Sequence, residues 1–229
     1  MKELHIYYFL DMNDLKDEII EKYIFMLPSS RRIKAEKYYF MKDKKQCLIS
    51  YLILAYGIKK SFNLDVWGID FSTLKYGKPY FKNYPSINFN ISHCINGCVC
   101  AVDSCCVGVD IQNINPKCKS YNKIYDASLT TNEIQMIKKS NELENEIFTK
   151  FWTMKESYIK FIGAGFYTDI KTLDFSNVTN QTPKFGNTFI ITKKIRENFI
   201  SVCSVNKKKT RYINISVFEL LTYLEDLRI

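Results

Sequence analysis

The chain has 229 residues, with 33 Lys and Arg against 24 Asp and Glu, a formal net charge of +9, and 46% hydrophobic and 15% aromatic residues. That length suits one large domain or two small halves with a real core, and the composition excludes an intrinsically disordered chain. The charge implies an anionic partner without choosing among nucleic acid, acidic protein and phosphorylated small molecule. No run of about eighteen apolar residues appears and the N-terminus is charged too early for a secretory signal, so a soluble, cytoplasmic protein is expected.

"LHIYYFL" at 4–10 reads as a first strand, followed by two helices, "SSRRIKAEKYYF" and the strongly apolar "DKKQCLISYLILAYGIKKSF". "KYGKPYF" at 75–81 reads as a turn that exposes Lys78 beside the rigid Pro79. From 86 the period changes to two: Ile87, Phe89 and Ile91 alternate with Asn88, Asn90 and Ser92. "GCVCAVDSCCVGVDIQ" gives two strand-like runs about a turn near Asp103 and Ser104. "TTNEIQMIKK" predicts a capped helix, and "NEIFTKFWTMKESYIKFIG" a longer one ended by Gly163. "TFIITKK", "NFISVCSV" and "RYINISVFEL" close the chain as three expected strands. The order strand, helices, strands therefore occurs twice, which predicts an α+β fold divided into residues 1–105 and 106–229. The 8 cysteines include no C-x-x-C pair and only 2 histidines accompany them, so reduced, buried thiols are expected rather than a zinc site.

On the long helix Phe148, Phe151, Trp152, Ile159 and Ile162 fall within one apolar arc that also contains Lys155, while Glu156 and Lys160 lie along its edge. The helix alone leaves open a snorkelling Lys155 and an ordinary i, i+4 pair between Glu156 and Lys160. In "VGVDIQ" alternation puts Val107, Val109 and Ile111 on one face and Gly108, Asp110 and Gln112 on the other. An acid in an interior strand must be paired or metal-bound, and Asp110 with Glu156 would make an oxygen site suited to magnesium and phosphate. "NFNISHC" adds Ser92 and His93, both able to donate to phosphate.

Together "YGKPYF", "FNISH", "VGVDIQ" and "FWTMKESYIKFIGAG" resemble a 4′-phosphopantetheinyl transferase of the surfactin-synthetase-activating (Sfp) type, over residues 28 to 175. The most specific of these motifs is the last, W-x-x-K-E-S-x-x-K. The resemblance implies two similar α+β halves about a pseudo-twofold axis, with coenzyme A and Mg²⁺ in the cleft between them. It implies transfer of the phosphopantetheine arm to a serine of an acyl, peptidyl or aryl carrier protein, releasing 3′,5′-ADP. Carried over by position, it implies that Asp110 and Glu156 hold the metal, with Gln112, where the family commonly has an acid, contributing directly or through water. Lys34, Lys37, Lys78, Pro79, Ser92 and His93 are implied to bind coenzyme A, with Lys155 and Lys160 facing the pyrophosphate. Glu156 and Lys160 are rival bases for the serine hydroxyl, and Asp110, Glu156 and Lys160 form the expected catalytic set.

Two other readings stay open: a coenzyme A-binding member that has lost catalysis through Gln112, and a basic nucleic-acid-binding module with aromatic stacking platforms. Tight coenzyme A binding without transfer would mark the first, and salt-dependent oligonucleotide binding without coenzyme A binding the second. The basic stretch 113–126, with Lys117, Lys119 and Lys123, is an expected docking surface for an acidic carrier. A monomer without nucleic-acid or membrane partners is expected.

Overall fold

The computed structural model describes residues 3–114, 121–140 and 142–227. The first half runs β1 (Glu3–Phe9), α1 (Asp17–Tyr23), α2 (Ser29–Glu36), α3 (Met41–Phe62), the short hairpin β2 (Ser72–Thr73) and β3 (Pro79–Tyr80), then β4 (Asn88–Cys94) and β5 (Gly97–Asp103). The second runs β6 (Val107–Asn113), α4 (Tyr121–Ser128), α5 (Thr131–Lys139), α6 (Glu144–Ile162), β7 (Lys184–Phe185), β8 (Thr188–Ile195) and β9 (Asn198–Ser204), followed by β10 (Lys209–Asn214) and α7 (Val217–Asp226).

One sheet has the order β10-β1-β5-β4 and the other β6-β9-β8-β7. In each, the first strand of the half pairs antiparallel with the last strand of a following hairpin, so β1-β5-β4 and β6-β9-β8 are counterparts. The doubled element order read from the sequence is thus a doubled topology within an α+β fold. Alternation along β1 sends Tyr7 and Phe9 into a core under α3, and Leu4 and Ile6 into a second cluster shared with Val107, Val109, Ile111, Ile200 and Val202 of the other sheet. The third cluster packs α6 against Phe175, Ile190 and Cys203. The order is helix, sheet, sheet, helix, and the inner apolar layer joins the halves.

The last two elements depart from expectation. "RYINISVFEL" is a strand only to Asn214; from Val217 it is helix α7, started by a capping box in which Ser216 and Glu219 exchange side-chain and backbone bonds. The S-x-x-E spacing signals that helix start. β10 pairs parallel with β1, so the end of the second half completes the sheet of the first. A parallel partner must arrive by a long crossover. Lys208 anchors this one, its Nζ donating at 2.7 and 2.9 Å to both oxygens of the fully buried Asp103.

The buried face of α6 also differs from the apolar arc expected. Thr149, Thr153 and Ser157 are buried, while Ile162 is exposed and Phe148 and Trp152 are half-buried. The hydroxyls satisfy themselves on α6 carbonyls: Thr149 on Asn145, Thr153 on Thr149, Ser157 on Met154. Small residues are needed because α6 presses on β6 at Gly108, where a Cβ would lie 2.2 Å from the Ser157 carbonyl oxygen.

Lys155 is fully buried, and the structure turns it away from the phosphate role expected of it. Its Nζ lies 2.7 Å from Glu133 Oε2 and donates to the carbonyls of Ser128 at 2.8 Å and Ile170 at 3.1 Å. Glu133 in turn accepts from the backbone N–H groups of Thr130 and Phe175. Burial pulls the Lys155 pKa below the ordinary lysine value, and the Glu133 carboxylate opposes that shift. The physical reason for the correction is that an ammonium deep under α6 must find acceptors there, and Glu133 of α5 supplies the charge. Lys155→Met strands the buried Glu133 carboxylate and should lower unfolding free energy by about 3–5 kcal/mol. Adding Glu133→Gln should recover much of that loss in urea denaturation, whereas a lysine facing the cleft would give no such rescue.

Candidate functional site

Strand alternation on β6 turns Val107, Val109 and Ile111 into the inter-sheet core and leaves Gly108, Asp110 and Gln112 facing α6. β4 and β6, edge strands of different sheets, meet here, and Asn90 Oδ1 accepts the Val109 N–H at 2.9 Å in place of a ladder bond. Asp110 is 1% exposed. Its Oδ1 receives Ser92 Oγ at 2.7 Å and Lys160 Nζ at 2.5 Å, while its Oδ2 receives Gln112 Nε2 at 3.2 Å. Lys160 also donates to Ser92 Oγ at 2.8 Å. Lys160 therefore does not make the ordinary pair with Glu156; it crosses from α6 to β6 and β4.

Glu156 lines the cleft with no hydrogen bond or ion pair among the described residues. Burial pushes its carboxyl pKa up, the Asp110 carboxylate pushes it further, and Lys160 opposes both. Two adjacent carboxylates share one ammonium, so the cluster has room in its charge balance for another cation. The donor set fits an oxygen-seeking divalent ion held by Asp110 and Glu156 with ligand oxygens completing its shell. Gln112 departs from expectation: its amide nitrogen faces Asp110 as a donor, because an uncharged amide beside a carboxylate is best oriented that way.

Two lobes open beside this cluster and share Gly77, Pro79, Asn90 and Ile91. The first, of about 580 Å³, is cationic, with Arg31, Lys34 and His93 in its wall together with Phe71. His93 faces it from β4, on the opposite side from buried Ser92. Desolvation by the surrounding protein lowers the His93 pKa first, and Lys160, Lys34 and Arg31 lower it further. The second lobe, of about 480 Å³, is more apolar, with Tyr76, Trp152, Ile159 and Ile170 beside Glu156 and Lys160.

Of the residues singled out in the sequence, Asp110, Glu156, Lys160, Ser92, Gln112, His93, Lys34 and Pro79 meet in or against this cleft. Lys78 reaches it with its stem, but its ammonium donates to the carbonyls of Phe161 at 2.7 Å and Val107 at 3.1 Å and lies 3.2 Å from Cys106 Sγ. It ties the β2–β3 turn to the C-terminal end of α6, where free carbonyls attract a cation. Lys37 sits exposed at the end of α2 and lines neither lobe. Residues 115–120 of the expected docking stretch lie outside the described residues, and so does the side chain of Lys123.

Arg31 is a site residue that the sequence motifs do not single out. Its guanidinium lies over the Phe71 ring at 5.7 Å and donates to the Cys47 carbonyl, while its Nε is buried without a partner. The available signal is the i, i+3 spacing of Arg31 and Lys34, which puts both on one face of α2. The seven described cysteines are unpaired, and burial raises the Cys94 thiol to about 11 and those of Cys98 and Cys203 to about 12.

Residues 106–212 match the model of the 4′-phosphopantetheinyl transferase superfamily, and residues 15–105 match that of the 4′-phosphopantetheinyl transferase N-terminal region. A 4′-phosphopantetheinyl transferase of Bacillus subtilis is 34% identical over 60% of this chain and 60% of its own. The 4′-phosphopantetheinyl transferase Sfp of Bacillus subtilis strain 168 is 30% identical over 66% of each chain. The 4′-phosphopantetheinyl transferase gsp of Aneurinibacillus migulanus is 31% identical over 71% of this chain and 69% of its own. The match thus spans less than two thirds of the length of the two Bacillus subtilis relatives. The two family models cover both halves of the doubled α+β topology and every residue of the two-carboxylate cluster between the cationic and apolar lobes, and the chain belongs to the 4′-phosphopantetheinyl transferase superfamily.

Proposed function

We propose that the protein transfers the 4′-phosphopantetheine group of coenzyme A to a serine hydroxyl of an apo acyl, peptidyl or aryl carrier protein, releasing 3′,5′-ADP, with Mg²⁺ as the metal. The observation that carries this reading is the Asp110, Glu156 and Lys160 cluster, which borders a cationic lobe on one side and an apolar lobe on the other. Such a cleft suits a ligand with a phosphorylated nucleotide at one end, a pyrophosphate in the middle and an uncharged arm at the other. In this reading Arg31, Lys34 and His93 bind the nucleotide end through its phosphate. Asp110 and Glu156 would hold Mg²⁺, which when bound neutralises the pyrophosphate charge.

The serine oxygen forms a bond to the phosphorus that carries pantetheine, the bond from that phosphorus to the bridging oxygen breaks, and 3′,5′-ADP leaves with the electron pair. Glu156 takes the serine proton. Burial and the Asp110 carboxylate raise its pKa in the ion-free protein, where it makes no hydrogen bond or ion pair among the described residues, and beside the ion it would take the proton directly or through a water. Lys160 has a different role. Bound to Asp110 and Ser92, it is held as a donor that can turn to the pyrophosphate as charge develops. We propose that the enzyme acts as a cytoplasmic monomer without nucleic-acid or membrane partners; both walls of the cleft come from one chain, so a second copy is not needed to complete it. No helix among the described residues is long and apolar enough to cross a membrane.

Transfer from labelled coenzyme A to a panel of apo carriers tests the reading. Asp110→Ala and Glu156→Ala should each lower turnover by at least roughly 10²-fold, with the double variant little worse than the weaker single one. Near-normal turnover in either single variant would remove the site assignment.

Gln112→Glu replaces an amide donor to Asp110 by a second carboxylate. The magnesium concentration for half-maximal transfer should fall roughly tenfold if the new ligand adds about 1.4 kcal/mol, while the metal-free protein should melt at a lower temperature because the two acids repel. An unchanged magnesium dependence would mean that the residue does not reach the ion.

His93 gives a pH test. Its pKa is lowered in the free protein, and a bound phosphate favours the protonated ring, so the site takes up a proton on binding. Coenzyme A affinity should therefore strengthen as pH falls from about 8 towards 6. His93→Gln should remove that gain, leaving only the opposing loss of affinity as the ligand's own phosphate takes up a proton. Calorimetry across that range measures both.

A further inference from the structure

Helix α2 carries Arg31 and Lys34 into the cationic lobe, yet little in its own sequence holds it there. It is 8 residues long, and of these only Ala35 is buried. A helix that short is marginal without tertiary support. Its N-cap is Pro28, whose side chain accepts no hydrogen bond, and no acid stands in its first turn. The N–H groups of that turn therefore need an acceptor from elsewhere.

Asp70 supplies one from 40 residues further along the chain. Its Oδ1 accepts the backbone N–H of Ser30 at 3.2 Å and the Ser30 hydroxyl as well. That is the bond an N-cap side chain makes to the second residue of a helix, made here by a remote carboxylate whose charge also suits the positive end of α2. The segment that carries Asp70 is itself fixed. Tyr51 of α3 is fully buried and donates its hydroxyl to the carbonyls of Val66 at 2.8 Å and Ile69 at 2.9 Å. Phe71 sets its ring 5.3 Å from that of Phe81 and 5.5 Å from those of Tyr51 and Phe89. Arg31 lies over the same Phe71 ring at 5.7 Å. Two consecutive residues thus hold the start of α2: Asp70 takes the backbone of Ser30, and Phe71 takes the guanidinium of the residue after it. Asp70 is exposed and does not line the lobe.

We propose that Asp70 is a positioning residue for coenzyme A: by capping α2 from a distance it keeps the first helical turn wound and so aims Arg31 and Lys34 at the phosphates of the nucleotide end. The inference rests on the reading of the cationic lobe as the nucleotide site. Asp70 touches no ligand and acts through the two cations. Without the cap the turn that contains Arg31 frays, so binding must first rewind it and the apparent affinity falls by the fraction of molecules in which it is wound. Once coenzyme A saturates the site the turn is wound, and the Asp110 and Glu156 centre works as before.

The test uses the full chain and calorimetry with 3′,5′-ADP, which is the nucleotide end alone, and with coenzyme A. Asp70→Ala should raise the dissociation constants of both by roughly tenfold, while Asp70→Asn, which keeps an acceptor oxygen, should bind close to wild type. In transfer, Asp70→Ala should raise the KM for coenzyme A and leave the KM for the carrier and the turnover at saturating coenzyme A unchanged. On an Arg31→Ala, Lys34→Ala background, Asp70→Ala should add almost no further loss of coenzyme A binding, because the groups it positions are gone. Unchanged dissociation constants in Asp70→Ala would overturn the positioning role. An equal loss on the background lacking both cations would also overturn it, since the effect would then be general destabilisation. A wild type that binds neither 3′,5′-ADP nor coenzyme A would overturn the reading of the lobe and the positioning role with it. A wild type that binds both but transfers nothing to any carrier would overturn the proposed reaction alone, and the dissociation constants would still decide the role of Asp70.

Discussion

The structure depends most on one buried carboxylate. Asp110 is almost wholly removed from solvent at the line where edge strands of two different sheets meet. An isolated carboxylate there would be strongly unfavourable, so it must draw donors from whatever surrounds it. Ser92 comes from β4, Lys160 from α6 and Gln112 from its own strand. The same carboxylate thus positions residues from both halves around one point. Gly108, two residues earlier on the same face, is the steric condition for this arrangement: any side chain there would hold α6 away from β6.

Three lysines near the cleft have three different fates, and acceptor density explains each. Lys155 lies under α6, where Glu133 and two carbonyls surround its ammonium, and it becomes a structural hub for the turn that follows α6. Lys78 points at the open C-terminal end of α6 and closes the β2–β3 turn onto it. Lys160 reaches Asp110 and keeps about a quarter of its side chain exposed, at 28%. Of the three, Lys160 is the one placed to exchange protein partners for a ligand's oxygens. The positive potential of the first lobe comes instead from Arg31 and Lys34 of α2, with the His93 ring of β4 facing them.

The halves are joined by more than the cleft. Their inner sheet faces share an apolar cluster, and β10 with α7 carries the end of the chain back onto the first sheet. The Asp103–Lys208 pair fixes that return, with a fully buried acid at the end of β5 receiving a lysine from the crossover. A cleft formed between two such halves has walls that cannot separate freely, which preorganises charged groups before any ligand arrives.

Much of this is legible in the residues themselves. Alternation in "VGVDIQ" puts Asp110 and Gln112 on the face away from the apolar layer, and "FNISH" separates Ser92 from the core residues beside it, because a strand's period of two is a local property. The α+β class and the doubled element order follow from periods of the same local kind. What a side chain bonds to across the fold is not local. The apolar arc of α6 hides the fact that Lys155 turns inward to Glu133, since helical spacing says which side a residue takes but not which acceptors wait there. The buried hydroxyls of Thr153 and Ser157 look polar in sequence and are accommodated only because the helix's own carbonyls accept them. The return of β10 to β1 depends on an open strand edge some two hundred residues away in the chain. The sequence by itself determined the chemical groups of the site and the faces they occupy. The tertiary structure alone decided which cations stay free to meet an anion, because that follows from the nearest oxygen atoms in space.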